Sequence, residues 1–122
     1  MNVQQRVNEI IARHCTWMAE QIEQLEKSCA PDKRADQLGC AELGQMRELV
    51  HQMNGSSGTV GFAEIGRAAA RLEDHLVELM ERQGSTISKA DWSILTAQLD
   101  DLRQLISKAR PEHSSLYRTG TA

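Results

Sequence analysis

Apolar residues recur every three or four positions along most of this chain, a spacing that gathers them on one side of an α-helix. Val3, Val7, Ile11, His14, Met18, Ile22 and Leu25 form the first such stripe, broadened by Ile10 and Cys15, and predict a helix over 3–28. Pro31 stops it, because a proline lacks the amide hydrogen and clashes with the preceding turn. Residues 31–39 read as a helical or irregular connection, with Pro31 opening a turn and Gly39 ending or bending it. A second helix runs from about Cys40 to Thr59 on Leu43, Met46, Leu49, Val50, Met53 and Val60. Gly61 breaks it, and Phe62 is placed to cover the end of the bundle as the chain reverses. From Ala63 to Glu81 the stripe is Ile65, Ala69, Leu72, Leu76 and Leu79, with Met80 at its border and Gly84 as the stop. Ser88-Lys89-Ala90-Asp91 has the form of a capping box, Ser88 capping the first amides and Asp91 reaching back, with a staple between Ile87 and Trp92. The last helix, Lys89 to Ala109, buries Leu95, Leu99, Leu102, Ile106 and Ala109, with Ile94 and Leu105 alongside. Pro111 ends it, and Ser114 to Ala122 reads as a frayed polar tail.

Four amphipathic segments joined by short connections are satisfied most simply by packing on one another. The expected fold is therefore all-α, an antiparallel four-helix bundle. Residues 1–113 form one domain and 114–122 a flexible tail, with a monomer as the expected state.

Composition narrows the function classes. The 122 residues carry 17 acidic and 14 basic side chains, a net charge of -3, and no Lys/Arg block that would make a nucleic-acid footprint. Cys15, Cys29 and Cys40 are odd in number and lack metal-site spacing, which points to a reducing compartment and a cytoplasmic location. No apolar run approaches the roughly eighteen residues of a membrane span, and no leader is visible at the N-terminus.

The candidate chemistry sits on the second helix. His51 falls on its wet side, with Arg47 one turn before it and Asn54, Gly55 and Gly58 after it. Each glycine inside a helix costs about 1 kcal/mol, so two beside an exposed imidazole fit close approach by a partner. In the third helix, Gly66, Ala70, Glu73 and Val77 follow one surface, which lets Glu73 face the neighbouring helix at the level of His51. Gly66, Ala69 and Ala70 are small enough for that helix to come close. The other histidines read as structural: His14 as a packed, hydrogen-bonded residue at the core edge, His75 as solvent-facing with Arg71, Asp74 and Glu78, and His113 as uninvolved. Trp17 and Phe62 read as packing.

His51-Gln52-Met53-Asn54-Gly55-Ser56-Ser57-Gly58-Thr59-Val60-Gly61-Phe62, then Ile65-Gly66 and Leu72-Glu73, resembles the signature of histidine phosphotransfer (HPt) domains. Their usual pattern is His-x-Leu-Lys-Gly-Ser-x-Gly-x-x-Gly, followed by an apolar helix ending near Leu-Glu. The likeness is close over residues 43–73. It implies that His51 carries a phosphoryl group on Nε2, and that Glu73 accepts a hydrogen bond from Nδ1–H and orients the ring. It further implies that Gly55 and Gly58, with Arg47, form a docking surface for a receiver domain. Asn54 stands where the family has Lys. It keeps a hydrogen-bond donor for a phosphoryl contact and loses the positive charge.

The implied activity is relay of a phosphoryl group between His51 and receiver-domain aspartates in a multistep two-component phosphorelay. The implied partners are a response-regulator receiver and a hybrid sensor histidine kinase, with no nucleic acid and no membrane. The chain itself calls for no cofactor, Mg²⁺ belonging to the receiver, and for no kinase activity, since the Gly55/Gly58/Gly61 spacing lacks the Lys-Ser/Thr ending of a phosphate-binding loop. Three alternatives stand beside this reading. One is a bundle that binds and regulates a receiver or sensor kinase without relaying. Another is the histidine-bearing part of a chemotaxis-type kinase. The last is a metal-binding role for the histidines and cysteines, against which their wide spacing counts.

Overall fold

The computed structural model describes residues 2–28, 40–82 and 87–119, with the side chains of Cys40 and Ala41 left aside. Four helices make an all-α bundle: α1 (Val3–Ser28), α2 (Cys40–Thr59), α3 (Ala63–Glu81) and α4 (Lys89–Lys108), followed by a 3-10 turn at Pro111–His113. Each boundary agrees with the apolar periodicity to within a residue. The expected 31–39 connection and the stop at Gly84 lie outside the described residues.

Each helix buries most of the stripe that its spacing defines. Ile11, Met18, Ile22 and Leu25 from α1 meet Leu43, Met46, Val50 and Met53 from α2, Ile65, Ala69, Leu72 and Leu76 from α3, and Leu95, Leu99, Leu102 and Ile106 from α4. Neighbouring helices run antiparallel. His51 of α2 meets Glu73 of α3 while Asn54 and Gly58 meet Gly66, and on the other side of α3 His75 meets Gln98 while Arg82 meets Asp91. Among the described residues no helix is long and apolar enough to cross a membrane.

The α2–α3 reversal is sharp because Gly61 takes φ +94°, the one positive φ among the described residues. A Cβ there would be strained, and it would also lie 2.9 Å from the Ser115 amide nitrogen. Phe62 then turns inward and is buried. At the start of α4, Ser88 accepts a hydrogen bond from the Asp91 amide at 3.1 Å. The Asp91 carboxylate takes up the Ser88 hydroxyl and Arg82 instead of reaching back to the chain, so only half of the expected box forms.

Five expectations are corrected. Ile10 does not broaden the α1 stripe, being 55% exposed, and Val3 at 78% lies beyond the covered part of its stripe. Ile94 is likewise exposed. His75 is buried: its Nδ1 is 3.0 Å from Gln98 Oε1, and its Nε2, 3.5 Å from Asp91 Oδ1, has no hydrogen-bond partner. α3 is covered on two flanks, by α2 and by α4, so a residue beside its main stripe is enclosed. Residues 114–119 are not frayed. The Ser114 hydroxyl donates to the Val60 carbonyl at 2.6 Å, and Gln4 and Asn8 donate side-chain hydrogen bonds to the carbonyls of Leu116 and Arg118. The first turns of α1 gain their cover from this segment.

Candidate phosphotransfer site on α2

The site is built on one face of α2. Val50 and Met53 anchor the helix inward, and the helical angle between them and position 51 turns the imidazole out, leaving the His51 side chain 57% exposed. Arg47, one turn earlier, lies on the same row. α3 supplies the opposing group: Leu72 is fully buried, so the next residue, Glu73, sits at the edge of the α2–α3 seam with its side chain 12% exposed.

One carboxylate oxygen joins the three. Glu73 Oε2 is 2.8 Å from His51 Nδ1 and 3.1 Å from Arg47 Nε. A carboxylate can only accept, so Nδ1 carries the proton and donates. In the neutral ring the lone pair then sits on Nε2, the nitrogen on the exposed side, where it is available as a nucleophile. The structure thus brings together three of the expected residues, with Arg47 turned onto Glu73.

The glycines meet different surroundings. A Cβ at Gly55 or Gly58 would find nothing within 4 Å, so no internal packing requires glycine at either position. Gly66 faces the seam, where a Cβ would lie 3.5 Å from the Asn54 carbonyl and the Gly58 amide, which is ordinary contact. The helices are close there, but a methyl group would fit. Asn54 is half-buried on the α3 side of this row.

A helix end with Gly55 and Gly58 so close together needs support from elsewhere, and it comes from beneath. Ser57 is fully buried and 3.2 Å from His14 Nε2, while its hydroxyl faces Met18 Sδ at 3.5 Å. With that hydroxyl proton directed at sulfur, His14 Nε2–H donates to the serine oxygen. The His14 ring stacks on Trp17 and Phe62, at centroid distances of 5.4 and 6.2 Å. Burial lowers the pKa of His14 from its ordinary 6.5, keeping the ring neutral and well packed. Ser56 and Thr59 also return their hydroxyls to the carbonyls of Gln52 and Gly55 within α2.

His51 projects from the surface of the bundle. A cleft of about 350 Å³ opens at the end of the bundle between Phe62, Ile65, Leu105 and Ala109, and none of its lining residues is Arg47, His51 or Glu73. Among the described residues there is no group of three His, Cys, Asp or Glu side chains able to hold a metal ion.

Comparison with protein families matches the Hpt domain model over residues 9–107. The chain belongs to the Hpt domain family. Searches of curated proteins and of solved structures return no significant match. Hpt domains carry out histidine phosphotransfer in two-component phosphorelays and interact with receiver domains of response regulators or hybrid kinases. The match spans α1 to α4, so in this Hpt domain the likeness first visible around residues 43–73 extends to the whole bundle.

Proposed function

We propose that His51 accepts a phosphoryl group from the aspartyl phosphate of a hybrid-kinase receiver and passes it to the aspartate of a second receiver. The observation that carries this reading is the exposed imidazole whose Nδ1 is held 2.8 Å from Glu73. On docking, the Nε2 lone pair attacks phosphorus. The N–P bond forms as the P–O bond to aspartate breaks, and the carboxylate leaves with that electron pair. The ring, still bearing its Nδ1 proton, becomes positive, and Glu73 stabilises that charge through the same hydrogen bond. Donation to the next receiver is the reverse sequence.

Gly55 and Gly58 keep the approach to His51 low, and Asn54 offers a neutral donor beside it. The receivers bring the aspartates and Mg²⁺, and the Hpt domain contributes the placed imidazole. The reading implies a cytoplasmic, monomeric protein.

Incubation with a ³²P-phosphorylated receiver tests it. The wild-type chain should acquire acid-labile, alkali-stable label, His51→Gln should acquire none, and Glu73→Ala should label more slowly with its helical content intact. Label persisting in His51→Gln would overturn the assignment. Receiver binding without any labelling of the wild type would support instead a regulatory binding protein, for which the missing charge at Asn54 is the motive.

A further inference from the structure

We infer that Arg47 is a positioning residue for His51, acting through Glu73, and more than a surface charge for docking. The inference rests on His51 being the phosphorylated residue. Two donors from one row of α2, Arg47 Nε at 3.1 Å and His51 Nδ1 at 2.8 Å, converge on the same oxygen of a carboxylate from α3. A glutamate side chain held only by His51 keeps free torsions through which it can swing towards solvent. Held by Arg47 as well, one helical turn away on the same rigid element, its Oε2 is fixed in space, and the ring that donates to it is fixed in turn.

Charge gives Arg47 a second effect on the same group. The Glu73 side chain is 12% exposed and that of Arg47 38%, so the carboxylate is largely withdrawn from water and the pair is screened less than one on open surface. A phosphoryl group on Nε2 brings further negative charge to a face where Asn54 supplies none. Without Arg47 that group would meet an uncompensated carboxylate across the ring. With Arg47 in place the pair is neutral, and Glu73 still accepts from Nδ1–H. The cation of this site thus stands behind the orienting carboxylate, one turn before the histidine.

The test uses the full chain without any receiver, so a docking role alone cannot move its readings. Two-bond ¹H–¹⁵N spectra report which ring nitrogen of His51 holds the proton. Phosphoramidate then phosphorylates the ring chemically: Nε2 attacks phosphorus, an N–P bond forms, and the P–N bond to the departing ammonia breaks.

Arg47→Gln should shift the His51 ring nitrogens away from the Nδ1–H pattern of the wild type and slow phosphorylation roughly 2- to 5-fold, the scale of a partly exposed ion pair. Arg47→Lys, which keeps the charge beside Glu73, should restore most of both. Ring shifts in Arg47→Gln equal to those of the wild type, with helical content unchanged, would overturn the inference. So would an Arg47→Lys variant as displaced as Arg47→Gln. Failure of wild-type His51 to take up phosphate would refute the relay reading separately, since the ring shifts are read before phosphate is added.

Discussion

At the scale of single residues, two histidines illustrate opposite uses of the same ring. His51 is turned out and bonded at Nδ1 to a carboxylate from the neighbouring helix. His14 is turned in, stacked on Trp17 and Phe62, and bonded to Ser57, which makes it a neutral wedge beneath α2. Burial sets the folded pKa of His14 below its unfolded value of 6.5. As pH falls, the unfolded chain therefore takes up this proton first. The contribution of His14 to stability is complete above pH 6.5, declines as pH drops through that value, and levels off once the folded ring is protonated too. Urea unfolding at about pH 7.5 and about pH 5 should show a fall in midpoint for the wild type and a smaller fall for His14→Phe. An equal fall in both would mean that the acid sensitivity arises elsewhere.

At the scale of elements, α2 is a helix whose outward face is not made for its own stability. Gly55 has open space where a side chain would stand, and the α2 backbone is held by Ser57 from below instead. Gly55→Ala should therefore stabilise the isolated chain by up to about 1 kcal/mol, read as a higher urea midpoint, because alanine costs less backbone entropy in a helix. Gly55→Met should also fold, yet slow phosphotransfer from a receiver about tenfold while leaving chemical phosphorylation of His51 unchanged, since only a large partner meets the added side chain. A receiver reaction at the wild-type rate would show that the partner does not pass over position 55. The partner helix is constrained differently. α3 presents Glu73 to α2 and His75 to α4, so its two flanks serve the site and the bundle separately.

At the scale of the whole molecule, α1 extends beyond the α2–α3 turn and is covered there by the segment after α4. Ser114 donates to Val60, the Ser115 amide donates to the Gly61 carbonyl at 3.1 Å, and Tyr117 packs against the core. These contacts tie the segment after α4 to the reversal that separates the two site helices, and Gln4 and Asn8 tie the start of α1 to that segment. Ending the chain at His113 should lower unfolding stability by about 1–3 kcal/mol, from the lost hydrogen bond of a buried hydroxyl and the exposed aromatic surface. A truncated chain with an unchanged urea midpoint would mean that the segment adds nothing to the fold.

Periodicity was enough to read the four helices, their boundaries and the bundle. Burying one stripe of each amphipathic helix is a local demand, written at spacings of three and four. The spacing from His51 to Gly55 and Gly58, and the placing of Glu73 on a surface facing α2, were legible for the same reason. Which flank of a stripe another helix would cover was not legible, because that depends on how four cylinders pack. Ile10 and Ile94 were left outside by that packing, His75 was enclosed, and the polar residues after Pro111 were docked. It also turned Arg47 onto Glu73: helical spacing places it in the row of His51, but only the approach of α3 puts a carboxylate oxygen within reach of both side chains.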